Sequence, residues 1–315
     1  MNIVDNQIQI YKSKEDASVN FVIRGNYPGY QEARYVRRRP DYMIAYVSTQ
    51  TGCAMGCRFC HLTASRQTQY LDLSIDDIVK QAQIVLDYYA SNEPKAEIGH
   101  CNFMARGEFF DNVNTLNNGA ELVTKLHDLL IKYNLKPKIL ISTIMPKRKL
   151  ENKSLFEIFK ESSIWPIIYY SLYSIDPSFR KKWIPNGLDP EIALRKLQEY
   201  QLQTNQNVKL HWALIKDEND SNEVIEAIAN LIRKIRHEAP FRFDINLVRY
   251  NPYSPSYGQE ADEEAVRRYT SNLKTTFPDS KIKVVDRVGF DVFVSCGCFL
   301  PKSQNSSSAA SRSSK

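Results

Sequence analysis

From residue 40 onward, short β-rich runs alternate with longer segments whose apolar residues recur at helical spacing, six times in succession. MIAYVST (43–49), AEIGHCNFM (96–104), KILIS (138–142), PIIYYSL (166–172), VKLHWALI (208–215) and FRFDINLV (241–248) read as strands. Each is followed by a helical pattern. In SIDDIVKQAQIVLDYYA (74–90), Ile75, Ile78, Val79, Ala82, Val85, Leu86 and Tyr89 share one face behind Ser74 as an expected N-cap. Strands separated by helices are expected to lie parallel, joined by crossovers. Six units are too few for a closed eight-unit barrel. The expected fold is therefore α/β, a partial (βα)6 barrel, with a doubly wound open sheet as the competing layout. In both, loops at the C-terminal ends of the strands form the functional rim.

Residues 1–40 read as an N-terminal β extension, in which VNFVIRG and EARYVRRR are short antiparallel strands. Residues 41–302 read as the barrel, closed by a hairpin of KIKVVDR and FDVFVSC. The Ser-rich residues 303–315 hold no core-forming side chains and read as a disordered tail. The chain has 43% hydrophobic residues but no run of bilayer length and no apolar signal core, so the expected location is cytoplasmic, with no membrane partner. A net charge of +6 permits a polyanionic partner without demonstrating one.

Six cysteines in a chain of that kind read as ligands or reactive thiols rather than disulfides. Three of them, Cys53, Cys57 and Cys60, fall within GCAMGCRFCHLT (52–63) with C-x3-C-x2-C spacing, directly after the first barrel strand. A structural zinc ion would need a fourth ligand, from His61, His100 or Cys101. Zinc loops favour paired C-x2-C knuckles, however. Three thiolates suit a [4Fe–4S] cluster with one iron left open to a small molecule. The spacing, with an aromatic residue before the last cysteine, resembles the signature of the radical S-adenosylmethionine (SAM) superfamily, in which the open iron binds SAM.

The resemblance continues along the chain. VSTQTGCAMGCRFC (47–60), FMARGE (103–108), ILIST (139–143), YSLYS (170–174), WIPNG (183–187), LIKDENDS (214–221), VRYNP (248–252) and RVGFDVFVSCG (287–297) occur in the order of the motifs of RlmN/Cfr-type RNA adenine methyltransferases. That family methylates C2 or C8 of adenine in ribosomal RNA, and some members act on transfer RNA. The resemblance implies a [4Fe–4S] cluster on Cys53, Cys57 and Cys60. It implies SAM held by Gly107, Glu108, Ser142, Ser171, Leu172, Tyr173 and Asn251. Cys296 matches the cysteine that the family methylates, and Glu32 stands in the place of its proton-accepting glutamate, with the loop between it and the first barrel strand one residue longer than usual. A methyl-cysteine route makes chemical sense, because these ring carbons are poor nucleophiles. An electron donor such as flavodoxin or ferredoxin is implied as well, and the chain is expected to act as a monomer.

Two departures matter. The family's second cysteine, which releases the product through a disulfide, is here Tyr46, and tyrosine cannot perform that exchange. Cys298 and Cys101 are the candidate substitutes, with an inert buried thiol as the simpler reading of Cys101. The family's N-terminal accessory domain also has no counterpart before the first barrel strand. For RNA contacts, Arg34, Arg37, Arg38 and Arg39 cluster in one hairpin, and KPK (136–138), KRK (147–149) and RKK (180–182) add charge. His61, His100, His127 and His211 read as packing or surface residues. The alternatives are a radical SAM enzyme with another substrate or outcome, and a non-catalytic RNA-binding protein with a structural metal.

Overall fold

The computed structural model describes residues 7–25, 27–92 and 96–301; the tail expected at 303–315 lies outside the described residues. One sheet of ten strands runs in strict chain order: β1 (Gln7–Lys12), β2 (Val19–Arg24), β3 (Gln31–Arg39), β4 (Tyr42–Tyr46), β5 (Ile98–Asn102), β6 (Lys136–Thr143), β7 (Ile167–Ser171), β8 (Val208–Ala213), β9 (Phe243–Val248) and β10 (Ile282–Val285). The first four pair antiparallel; β1 to β3 form the N-terminal β extension, and β4 is the first strand of the barrel. From β4 to β10 every pairing is parallel, and helices cross over between the strands.

The helices form where the apolar spacing places them. Helix Ile75–Asn92 starts at Ser74, whose hydroxyl accepts the Asp77 N–H at 3.1 Å. Helix Pro190–Thr204 starts at Asp189 in the same manner, with proline at its first position. Helices Gly119–Lys132, Asn222–Glu238 and Glu263–Thr276 follow β5, β8 and β9, whereas after β6 only the short helices Lys147–Leu150 and Leu155–Phe159 form. Their apolar faces pack on the outer face of the sheet and bury Ile78, Val85, Leu126, Leu197, Ile228 and Leu273.

The expected closing hairpin is not present. Residues 282–285 form β10, which lies parallel to β9 and extends the βα series by one strand. FDVFVSC forms turns instead, with Phe293 at φ 61°. Its carbonyls are taken by side chains of the N-terminal extension. Asn20 donates to Val292 O (3.1 Å), and Arg34 donates to Val294 O (3.3 Å) and Cys298 O (2.8 Å). Alternating apolar residues suggest a strand, but a strand needs a neighbouring backbone, and here buried side chains fill that role.

The sheet curls. Alternate residues of the parallel strands, among them Tyr46, Asn102, Leu140, Tyr169, His211 and Asn246, all border one cavity of about 400 Å³. Side chains from so many successive strands can meet around one space only if the sheet wraps it as a partial barrel.

Candidate active site

The cysteine loop follows β4 and is pinned from several sides. Cys53 N–H donates to Gln67 O (3.1 Å), Arg58 N–H to Trp183 O (3.0 Å) and Asn186 Nδ2 to Met55 O (3.0 Å). A side chain at Gly52 would run into the Gln67 and Gln69 carbonyls, so the loop closes only on glycine. Phe59 stacks on Tyr173 at 4.5 Å. Burial pushes the Cys53, Cys57 and Cys60 thiols up in pKa; Cys60 raises Cys53 further, and Cys53 and Cys60 both raise Cys57. Three thiols raised in this way become thiolates when cations compensate them, which iron would do.

Among the described residues, no three His, Cys, Asp or Glu side chains close on one point as ligands of a single ion. A [4Fe–4S] cluster needs no such convergence, since each cysteine binds a different iron. The fourth ligands considered for zinc are also engaged elsewhere. His61 Nε2 lies 3.0 Å from Asn251 O, His100 stacks on Tyr42 near the N-terminal end of the strands, and Cys101 sits in the apolar core.

The turn carrying Cys296 meets this loop. His61 N–H donates to Gly297 O (2.9 Å), and Asn251 Nδ2 donates to Cys296 O (2.9 Å). Gly297 has φ +79°, and a Cβ there would stand 3.0 Å from Phe59 O. Cys296 borders the cavity. Burial pushes its thiol up to about 11, with Cys60 raising it further and Arg34 and Arg38 opposing.

Of the expected SAM residues, Asn251 borders the cavity, and Glu108 and Tyr173 lie close enough to Cys57 to feel its charge. Gly107 has φ +96°, and a side chain there would strike Thr49 and Gln50. Glu108 is buried, and burial pushes it up to about 7. Its oxygens take hydrogen bonds from Thr143 Oγ1 (2.6 Å), Ile144 N (3.1 Å) and Phe110 N (3.3 Å), but no cation is among these partners. An ammonium group would match it. Asn251 Oδ1 is buried with no hydrogen-bond partner, a second vacant contact. Ser142 Oγ donates to Asn102 Oδ1 (3.0 Å), and Ser171 Oγ lies 3.0 Å from His211 Nε2. Tyr173 takes φ +56°, and Leu172 is a core side chain with its carbonyl bound by Arg180.

Glu32 is placed differently from expectation. It is fully buried and does not border the cavity. Oε2 receives Arg34 (2.6 Å) and Asn20 Nδ2 (3.0 Å), while Oε1 receives Arg106 (2.7 Å). Burial alone would raise its pKa, but Arg34 and Arg106 outweigh it and hold Glu32 below the ordinary carboxylate range. A carboxylate saturated by two guanidinium groups is a weak base with no open face. Glu32 is the centre of an ion-pair hub. Arg106 was missed as its partner. The available signal was an arginine in FMARGE where the family's F-M-G-M-G-E carries methionine.

Cys101 is displaced too. On β5 the lumen side belongs to Ile98, His100 and Asn102, so Cys101 faces the helices, and burial pushes its thiol up to about 12. It cannot meet Cys296 without unpairing the strand. Cys298 is 1% exposed, borders no part of the cavity and is likewise pushed up to about 12 by burial. Tyr46 does border the cavity.

Of the arginine cluster, Arg34 is buried in the hub and is not available to RNA. Arg37 donates to Pro40 O, Arg38 to Asp286 O (3.1 Å), and Arg39 pairs with Asp41. The later basic runs also disperse: Arg148 and Lys149 bond Asp111, Arg180 is buried, and Lys182 pairs with Glu218.

Comparison with known proteins decides the family. A protein of Clostridium beijerinckii named "Probable dual-specificity RNA methyltransferase RlmN" is 28% identical over 297 residues, 92% of this chain and 76% of its own length. One of Sulfurimonas denitrificans, "Dual-specificity RNA methyltransferase RlmN", is 26% identical over 277 residues, 86% of this chain and 70% of its own. The chain is a radical SAM protein of the RlmN/Cfr type. No family model matches it. The crystal structure of a radical SAM methyltransferase from Sphaerobacter thermophilus superposes with a TM-score of 0.74 at 19% identity, over 93% of this chain and 80% of that one, and supports the same fold. The meeting of the Cys296 turn with the cysteine loop joins two motifs that lie far apart in the chain. Among the described residues, no helix is long and apolar enough to cross a membrane.

Proposed function

We propose that this chain is a radical SAM methyltransferase that modifies an adenine carbon, C2 or C8, of RNA, with Cys296 carrying the methyl group in transit. The observation that carries the reading is the junction at His61, Asn251 and Gly297, which holds Cys296 over the cysteine loop at one end of the lumen. Cys53, Cys57 and Cys60 would hold a [4Fe–4S] cluster. Gly107, Glu108, Ser142, Ser171, Leu172, Tyr173 and Asn251 would hold SAM. When bound, these groups supply one-electron reduction and a transferable methyl group.

The chain's own residues do the rest. Cys296 must lose its proton before it accepts a methyl group. Burial works against that, and the charges of Arg34 and Arg38 work for it. The Glu32 hub, through Arg34, fixes the backbone on both sides of Cys296. Glu32 is a positioning residue in this reading.

The test is the mass of the Cys296 peptide after anaerobic cluster reconstitution and incubation with methyl-labelled SAM. A labelled methyl group on Cys296 is expected. An unmodified Cys296 alongside cleaved SAM would favour the second reading, a radical SAM enzyme with another outcome, to which Tyr46 in the place of the releasing cysteine already points.

Glu108 gives a separate expectation. Its folded pKa of about 7 lies above the ordinary 4.5, so without SAM it binds a proton across that window and costs stability as pH rises from 4.5 to 7. An ammonium beside it favours the ionised form. Binding SAM at pH 6 is therefore expected to release close to one proton, and almost none above pH 8. Calorimetry in buffers of different ionisation enthalpy reads this directly, and Glu108→Gln should abolish the release.

A further inference from the structure

The lumen has a second end. At the N-terminal ends of the strands, away from the cysteine loop, it opens through a mouth bordered by Arg38, Arg39, Lys138 and Lys283. Lys209 adjoins them, paired with Asp244 at 2.6 Å. These cations come from the β3–β4 hairpin, β6, β8 and β10, and curvature of the sheet brings them to one place. Arg39 is matched by Asp41 and Lys209 by Asp244, but among the described residues Lys138 and Lys283 have no carboxylate at ion-pair distance. Their mutual crowding is visible in their neighbours. His100 is held down to about 4, first by burial and then by Lys138, Lys283 and Lys209, with Asp41 opposing. Lys283 is itself lowered by burial, by Lys209, Arg39 and Arg38, against Asp244. A protein that gathers like charges at a mouth without neutralising them leaves that balance to an anion.

Inside the mouth the wall is polar and incompletely bonded. His211 and Asn246 lie side by side on β8 and β9, and Asn246 is also level with Lys283 on β10. Both border the cavity at 5% and 8% exposure, yet His211 Nδ1 and Asn246 Oδ1 have no hydrogen-bond partner. Buried polar atoms are rarely left unpaired without a ligand or water to meet them. The cavity of about 400 Å³ runs from this mouth to Cys296, so the mouth and the wall behind it belong to one continuous space.

We propose that this end of the lumen is a nucleotide site, with the phosphate on Lys138, Lys283 and Arg38 and the base against His211 and Asn246. The nucleotide is either free or a unit of a polynucleotide; the shared chemistry is a phosphate joined to a hydrogen-bonding heterocycle. The inference uses none of the cysteines, so its failure leaves the methyl-transfer reading intact, and the reverse holds too.

The experiment is titration calorimetry of the reconstituted protein with AMP, inorganic phosphate and adenosine at fixed ionic strength. AMP is expected to bind, inorganic phosphate to compete with it, and adenosine to bind far more weakly. Lys138→Ala and Lys283→Met should each weaken AMP about tenfold, the loss of one charge-assisted hydrogen bond, without changing the affinity for SAM. Both variants relieve repulsion, and a thermal midpoint at or above that of the parent would show that they fold. A short single-stranded RNA that competes with AMP and weakens in the same variants would assign the site to a polynucleotide; competition by AMP alone would assign it to a free nucleotide. Equal affinity for AMP and adenosine, or AMP binding unchanged in both variants, would overturn the proposal.

Discussion

Cys57→Ala is expected to yield a colourless protein after anaerobic reconstitution, with iron and sulfide reduced to background and no cleavage of SAM to 5′-deoxyadenosine. Cys57 is the most buried of the three loop thiols. Its loss leaves two ligands, too few to hold a cluster against chelation. Cys101→Ala and Cys298→Ala serve as the contrast. Cys101 faces the helices and Cys298 lies off the cavity, so both should retain full iron and sulfide. Stoichiometric zinc in the parent protein, with no brown cluster on reconstitution, would remove both the cluster and the methyl-transfer reading and leave a structural metal.

Glu32→Gln should cost the fold about 3–5 kcal/mol, the range for removing one partner from a buried ion pair. The amide would leave Arg34 and Arg106, both about 1% exposed or less, without a counter-charge. The parent's dependence on pH should change with it. Glu32 has a folded pKa below the ordinary 4.5, so its contribution is present above about pH 4.5 and fades as pH falls through the folded value. The variant should lack that acid-side loss. Urea unfolding at pH 7 and at pH 4 measures both effects. A variant as stable as the parent, but with methylation abolished, would instead return Glu32 to the role of proton acceptor. The hub also accounts for the N-terminal extension. Asn20 and Arg34, on β2 and β3, are the side chains that hold the Cys296 turn, so the extension builds part of the site.

Much of the site was legible before any coordinates, and the reason is locality. The cysteine loop occupies eight consecutive residues, so its candidate ligands are marked by spacing alone. The βα alternation is equally local, since strand and helix each declare their period within a short window. Gly107 and Glu108 were readable as a motif, and the structure adds why glycine is required there.

What failed to read was decided over long separations. Glu32 looks like a solvated hairpin carboxylate or a base until Arg106 arrives from the loop after β5. Cys101 and His100 are neighbours in IGHCN, and which of them faces the lumen depends on the pleat. His100 and Asn102 alternate with Gly99 and Cys101 and so mark two faces, but the sequence alone does not say which face meets the lumen. FDVFVSC alternates like a strand, but no strand edge is free for it. The mouth of the lumen is spread across β3, β6, β8 and β10, so Lys138 and Lys283 each look like a single surface charge in the sequence. The sequence by itself determined the order of parallel units, the three-cysteine loop and the family. Only the tertiary structure decided which side chains share a face, which charges are neutralised and what holds Cys296, because burial and ion pairing depend on distances between residues that the chain order keeps far apart.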